Sequence, residues 1–370
     1  MEDPAQLSAL VVLLGLLTGT VFGAIVHKTG FCAMGAVSDV VNMGHWSRMR
    51  MWLLSIAVAI LGVAMLASAG MLDPGRSFYT GERLTWLSCI VGGLLFGVGM
   101  TLASGCGSRN LVRLGGGNLK SLLVVLMLAI AAYMTMKGAL APLRVHLLDS
   151  VSVYLPNGQD LPRLLAGGFG MDLAVARWGA ALLFAGGMLV FVFKDSTFRR
   201  DRNGLLGGLV VGAMIVAGWY ATGVVGYLEE HPDTLEQAFL ATNSRRPESL
   251  TYVGPVAYTL ELGLLWTDAS LRMTFGIAAM LGTLAGSFVY ALFSGNLRWE
   301  GFTSAADMRN HIAGGFLMGF GGVVGLGCTI GQGITGFSTL ALGSILVFLS
   351  IIVGAALTMK WQYWRMLRES

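Results

Sequence analysis

The chain has 370 residues, of which 55% are hydrophobic and only 12% charged, and 24 basic against 20 acidic side chains leave a formal net charge of +4. Soluble domains average about 25% charged residues, so a water-soluble fold, which would have to hide nearly all of this apolar surface, is excluded. The small basic excess lies in short loops, as membrane orientation requires, and speaks against nucleic-acid binding.

Apolar runs recur along the whole chain, and each is close to the 20 or so residues a helix needs to cross a bilayer. They predict an all-α integral membrane protein, a single transmembrane domain over residues 1–370 embedded in membrane lipid. Met1-Glu2-Asp3-Pro4 places no basic region ahead of the first run, residues 7–26, which is expected to stay in the mature protein. Thr29-Gly30-Phe31-Cys32-Ala33-Met34 follows it, and Arg48 and Arg50 precede the second run, 51–71. The third, 85–103, ends in Ser104-Gly105-Cys106-Gly107-Ser108-Arg109-Asn110 and continues to Gly115-Gly116-Gly117 before the fourth, 119–137. Polar residues 141–172 lead to the fifth, 174–193, and Lys194, Arg199, Arg200 and Arg202 crowd the loop before the sixth, 204–228. A loop at 229–253 separates this from the seventh, 271–293; Arg298 and Arg309 flank the loop before the eighth, 312–327. The eighth ends in Gly327-Cys328-Thr329-Ile330-Gly331-Gln332-Gly333, and the ninth, 338–359, is followed by Lys360, Arg365 and Arg368. The positive-inside rule sends the four basic clusters to the cytoplasm. Nine spans then leave the amino terminus outside and the carboxyl terminus inside, with 141–172, 229–253, Glu261 and Asp268 at the outer surface.

The chain also repeats itself. Gly92-Gly93-Leu94-Leu95-Phe96-Gly97-Val98-Gly99, continuing to Gly105-Cys106, aligns without a gap on Gly314-Gly315-Phe316-Leu317-Met318-Gly319-Phe320-Gly321, continuing to Gly327-Cys328. Gly15, Gly19 and Gly23 answer to Gly204, Gly208 and Gly212. The expected organisation is a first repeat at about 7–137, a linker with one span at 138–203, and a second, inverted repeat at about 204–359. Inverted repeats are characteristic of secondary transporters and place the binding site near the midplane. The 53 glycines, many at spacings of four in apolar segments, suit close helix packing in lipid.

Each repeat closes its third span with Gly-Cys and a stretch too polar and glycine-rich for ordinary membrane helix. Irregular backbone at that depth is tolerated where protein or a watery cavity satisfies it, which predicts broken or re-entrant short helices meeting near the midplane. Glycine-rich turns and helix amino termini attract anions. Thiols are weak donors with polarisable sulphur, suited to a soft, sulphur-terminated anion. The matched positions mark Cys106 and Cys328 as substrate-binding, together with Gly105, Gly107 and Gly327; Gln332 either joins them or caps backbone. Arg109 and Asn110 either line the path or fix the loop. Cys32 has no cysteine counterpart in Ala221-Thr222-Gly223-Val224-Val225, and the residues alone do not separate packing from substrate contact there. Cys89 reads as a small buried hydrophobe. Arg113 and Lys120 read as a cytoplasmic edge, and His27, Lys28, His45 and His311 as interface residues.

With Gly30-Phe31-Cys32, Ser104-Gly105-Cys106-Gly107 and the following Asn110-Leu111-Val112-Arg113-Leu114-Gly115-Gly116-Gly117, and Gly327-Cys328-Thr329-Ile330-Gly331-Gln332-Gly333, the chain resembles the YeeE/YedE family of bacterial inner-membrane proteins over essentially its full length. This is the sulphur transport family, which includes thiosulphate transporters. The resemblance implies nine spans with short helices entering from opposite faces, an hourglass path with Cys32, Cys106 and Cys328 at successive levels, and a small cytoplasmic TusA-like sulphur carrier as partner.

The expected function is uptake of thiosulphate or a related small sulphur-containing anion along a thiol-lined path, without ATP, a metal or another cofactor, in a protein that is not an enzyme. Selenium analogues are alternative substrates. A different class of function is a membrane-embedded sulphur-transfer enzyme that keeps a persulphide on cysteine, which would need a lowered thiol pKa. A soft-metal permease would use cysteine and methionine as Cu(I) ligands, but no Cys-x-x-Cys pattern supports it.

Overall fold

The structure, a computed structural model, describes residues 3–232 and 234–369. The chain forms α1 (Pro4–Thr29), α2 (Ala33–Ser38), α3 (Ser47–Ser68), α4 (Trp86–Leu102), α5 (Gly107–Gly115), α6 (Leu119–Met136), the single turn α7 (Ala141–Leu143), α8 (Leu161–Phe169), α9 (Leu173–Phe193), α10 (Ser196–Arg200), α11 (Arg202–Tyr220), α12 (Val253–Leu264), α13 (Phe275–Phe293), α14 (Ala305–Val324) and α15 (Leu342–Glu369). The described β structure is two two-residue ladders in the loops, one of them pairing Arg83 with Tyr154.

Among the described residues eight helical stretches are long and apolar enough to cross a membrane: α1 continued to Met43, α3, α4 continued through α5, α6, α9, α11 continued to Val225, α13 and α15. The remaining expected span, the eighth at 312–327, is the second half of α14, whose first turns carry Asp307, Arg309 and His311 and so dilute its hydropathy. Helix ends follow local chemistry. Asp3 accepts from Ala5 N–H to open α1, and Gly30, at φ 66°, closes it in the left-handed conformation that glycine adopts without strain.

Four helix pairs carry the bundle: α1 with α13, α3 with α11, α4 with α15, and α6 with α14. The members of each pair run parallel, as Gly15, Gly19 and Gly23 of α1 lie on Phe275, Ala279 and Thr283 of α13 in order. A fifth contact, α4 against α14, is antiparallel: Gly92 faces Gly321 and Gly99 faces Gly314. Exchanging α1 with α11, α3 with α13, α4 with α14 and α6 with α15 leaves this set of pairs unchanged. A Cβ at Gly314 would lie 2.6 Å from the Gly99 carbonyl oxygen and 2.7 Å from the Ala103 nitrogen. Only glycine permits that approach, which supplies packing where lipid gives helices no hydrophobic drive to associate.

The outer rim is apolar. Leu10, Leu13, Leu17 and Val21 of α1 and Leu182, Leu183, Val190 and Phe193 of α9 are exposed, as a lipid-facing surface requires. At one end of the bundle Arg50 of α3 pairs with Asp195, between α9 and α10, at 2.5 Å. The Thr197 N–H and then the Arg50 guanidinium hold the Asp195 carboxyl below the usual carboxylate range. A depressed carboxylate stabilises the fold fully above the unfolded value of about 4 and loses that contribution as pH falls through the lower folded value. Thermal unfolding between pH 7 and pH 3 is therefore expected to fall less steeply in Asp195→Asn than in the parent chain.

Two expectations about the loops are corrected. Residues 229–253 do not simply face the exterior: Glu248, Ser249, Leu250 and Tyr252 are buried. Tyr252 reaches Phe22 of α1, ring centroids 5.5 Å apart, and its hydroxyl lies 2.9 Å from that of Thr283, midway along α13. The segment re-enters the bundle because distant side chains satisfy its backbone. Thr222 donates to the Glu248 carbonyl at 2.5 Å, and Thr335 donates to the Leu250 carbonyl at 2.7 Å. Glu261, expected at the outer surface, is buried on α12 and pairs with Lys137 at 2.6 Å.

Candidate substrate path

The two Gly-Cys breaks share a backbone pattern at a constant offset. α4 stops at Leu102 and α14 at Val324, and Ser104 and Leu326 then take left-handed φ values of 55° and 58°. Gly105 N–H donates to the Met100 carbonyl at 2.8 Å, and Gly327 N–H to the Gly322 carbonyl at 2.7 Å. The Asn110 amide donates to the carbonyls of Gly105 and Cys106 at 2.8 and 3.1 Å, while the Gln332 amide donates to the Gly325 carbonyl at 2.9 Å. Asn110 and Gln332 thus fix the breaks from matching positions, and the amide oxygen of each is buried without a partner among the described residues. Gly107, the first residue of α5, lies against Leu128 of α6.

After the breaks the halves diverge. The first continues as α5, whereas residues Gly331–Gly336 form wide π turns that lead into α15. The Arg113 guanidinium donates to the Ser104 carbonyl at 3.0 Å, tying α5 back to the break, and Lys120 at the start of α6 pairs with Asp307 of α14 at 2.7 Å. Truncating Asn110 to alanine would take the side-chain donor from the buried Gly105 carbonyl, while the Cys106 carbonyl keeps the Asn110 backbone N–H at 2.9 Å; an unpaired buried group costs about 1–3 kcal/mol. Asn110→Ala is expected to lower the unfolding temperature clearly more than Arg113→Ala, whose partner is exposed.

All four cysteines are buried free thiols. Cys32 opens α2, and its Sγ accepts the Gly35 N–H at 3.4 Å; the Cys328 Sγ accepts the Gly331 N–H at 3.3 Å. The Cys106 Sγ lies 3.3 Å from the Ser108 hydroxyl. Cys106 is the electrostatic neighbour of both Cys32 and Cys328, and Arg109 is that of Cys32. The structure therefore brings Cys32 and Cys328 each within electrostatic reach of Cys106. Cys89 stands apart, against Gly343 at the start of α15. Phe31 explains where Cys32 sits. It stacks on Trp52 with centroids 5.6 Å apart, and Trp52 stacks on Phe348 at 5.4 Å, which anchors Gly30-Phe31-Cys32 to α3 and α15.

Two cavities flank this row. One, of about 220 Å³, is walled by Glu248, Thr251, Tyr258 and Gly327 near the ends of α6 and α14. The other, of about 170 Å³, is walled by His27, Arg109, Arg113 and Arg298 near the ends of α1 and α5. Arg109 is half-buried and its guanidinium also reaches the Val26 carbonyl at 3.4 Å, so it both borders a cavity and ties α5 to α1. His27 bonds the Ser287 hydroxyl at 2.8 Å. Tyr252, an electrostatic neighbour of Cys106 and Cys328, was not singled out in the sequence, nor was Glu248. Both lie in a segment that reads as a polar loop, and only its long-range partners place it inside.

A bundle of spanning helices interrupted by two polar, cysteine-bearing breaks between cavities defines a polytopic membrane transport protein. The sulphur transport family matches residues 28–357, and the chain belongs to that family. It is 24% identical over 343 residues to the thiosulfate transporter TsuA of Escherichia coli (strain K12), covering 88% of this chain and 87% of that protein. It is 26% identical over 358 residues to the thiosulfate transporter TsuA of Spirochaeta thermophila, covering 95% and 98%.

Proposed function

We propose that the chain takes up thiosulphate, or a closely related sulphur anion, along a path that passes Cys328, Cys106 and Cys32 in turn. The observation that carries this reading is the row of three buried free thiols between two cavities, with Cys106 adjacent to both others. The cavity walled by Arg109, Arg113 and Arg298 forms the exit on the more basic, cytoplasmic face, and the cavity walled by Glu248 and Gly327 forms the entrance. The amino terminus lies outside and the carboxyl terminus inside a bacterial inner membrane. Residues 7–137 and 204–359 form inverted repeats, a reading supported by the exchange-invariant helix pairs and the matched breaks. A small TusA-like carrier takes the delivered sulphur at the cytoplasmic face.

Gly105, Gly107 and Gly327 keep the backbone open beside the thiols, while Asn110 and Gln332 hold the breaks rigid and offer amide edges to the path. Bare lipid would charge the anion tens of kcal/mol in lost hydration, so donors must succeed one another along the way. Inward movement against an inside-negative potential costs about 2.3 kcal/mol per charge for each 100 mV, so entry is held back unless the anion is captured or its charge compensated. Uptake of labelled thiosulphate into proteoliposomes tests the reading. Saturable uptake that excess sulphate inhibits only weakly is expected; no uptake above protein-free vesicles would sink it.

A further inference from the structure

Glu248 has 6% exposure and stands in the wall of the entrance cavity together with Gly327, the residue before Cys328. Its carboxyl accepts the Ser244 hydroxyl at 2.9 Å and the backbone N–H groups of Asn243 and Ser244. Among the described residues no ion pair reaches it. Arg144 lines the same cavity but pairs with Asp149 at 3.2 Å. Arg245 and Arg246, beside it in sequence, are exposed. Tyr258 of α12 and Tyr79 are its titratable neighbours, with Cys328 next to Tyr79. The elements packed behind it offer Thr222, Ile215 and Gly276, none of which titrates. A carboxylate without a cation on the entry route of an anion would repel it.

We propose that Glu248 is a substrate-contact residue that works protonated, its carboxyl O–H donating to the anion at the entrance and its ionised form turning the anion away. The inference rests on the anion-uptake reading. Burial pushes the Glu248 carboxyl up to about 7, so the group changes charge within the range in which the protein can be studied. Below that value the neutral acid is a donor; above it the carboxylate and the anion repel. By linkage, an anion in the cavity raises the carboxyl's proton affinity, so binding takes up a proton.

The test is thiosulphate uptake by proteoliposomes of the full chain at pH 6 and pH 8. The wild type is expected to show a KM about tenfold higher at pH 8 with kcat little changed, the ratio of protonated carboxyl at the two pH values. Glu248→Gln, a neutral amide donor at both, is expected to have equal KM values near the wild-type pH 6 figure, and Glu248→Asp to retain a slope. If Glu248 merely staples the 243–248 turn, Glu248→Gln will lower the unfolding temperature and keep the wild-type slope, which overturns the proposal. A flat wild-type KM also overturns it. Should the variants not fold, a pH dye with the unaltered protein decides: thiosulphate binding at pH 7 with no proton uptake overturns the proposal. Absence of wild-type uptake at both pH values would instead defeat the transport reading itself.

Discussion

Replacing Cys106 by alanine is expected to lower thiosulphate uptake about ten- to a hundredfold while leaving the amount of folded protein unchanged. The range follows from hydrogen bonds to charged groups, which are worth about 1.5–3 kcal/mol each. Cys106 has 2% exposure and lies within electrostatic reach of both other thiols, so its loss removes a donor where the proposed path passes from Cys328 to Cys32. The thiol itself holds little structure together. Its Sγ hydrogen-bonds the Ser108 hydroxyl, and the break is fixed by the Asn110 amide, which alanine at 106 leaves in place. Cys89→Ala is the control, since that thiol is equally buried but lies away from the row, and its uptake should match the wild type. Initial uptake rates by proteoliposomes of the two variants decide the matter; full uptake in Cys106→Ala would return that cysteine to packing.

The second large effect concerns assembly. Gly314→Leu is expected to abolish monodisperse protein in mild detergent, or to lower its unfolding temperature by far more than any single substitution at the path. Overpacking a core usually costs about 1–3 kcal/mol because side chains can shift. Here the new Cβ meets the Gly99 carbonyl and the Ala103 nitrogen, which are backbone and can move only if α4 and α14 separate. That separation would also pull apart Leu102 and Val324, the helix ends from which both cysteine breaks hang. Size-exclusion chromatography and a thermal melt measure the outcome, and a wild-type profile would show that the interface is looser than its geometry implies.

Much of the candidate path was legible in the chain. The two breaks announce themselves because Gly-Cys with polar flanks cannot continue as membrane helix, and their repetition in register distinguishes them from isolated cysteines. Asn110 and Gln332 both stand out in the sequence, but nothing there marks them as one device. Their equivalence shows only when each amide is seen bonding back to its own break. Cys32 could not be settled from its neighbours in sequence, because what places it beside Cys106 is the stacking of Phe31 on Trp52, contributed by α3.

Composition and the 20-residue apolar period determined the membrane class, nearly every span and the positions of the breaks, since a bilayer admits little besides continuous helix and hydropathy is local. The tertiary structure alone decided that residues 247–252 enter the bundle, with Ser249 donating to Ile215 and Thr335 to Leu250, and that Glu261 is buried against Lys137. Those residues are polar and read as surface. Polar backbone and charge go inside a membrane protein only when partners far away in sequence satisfy them, and such partners are chosen by packing, which no local pattern records.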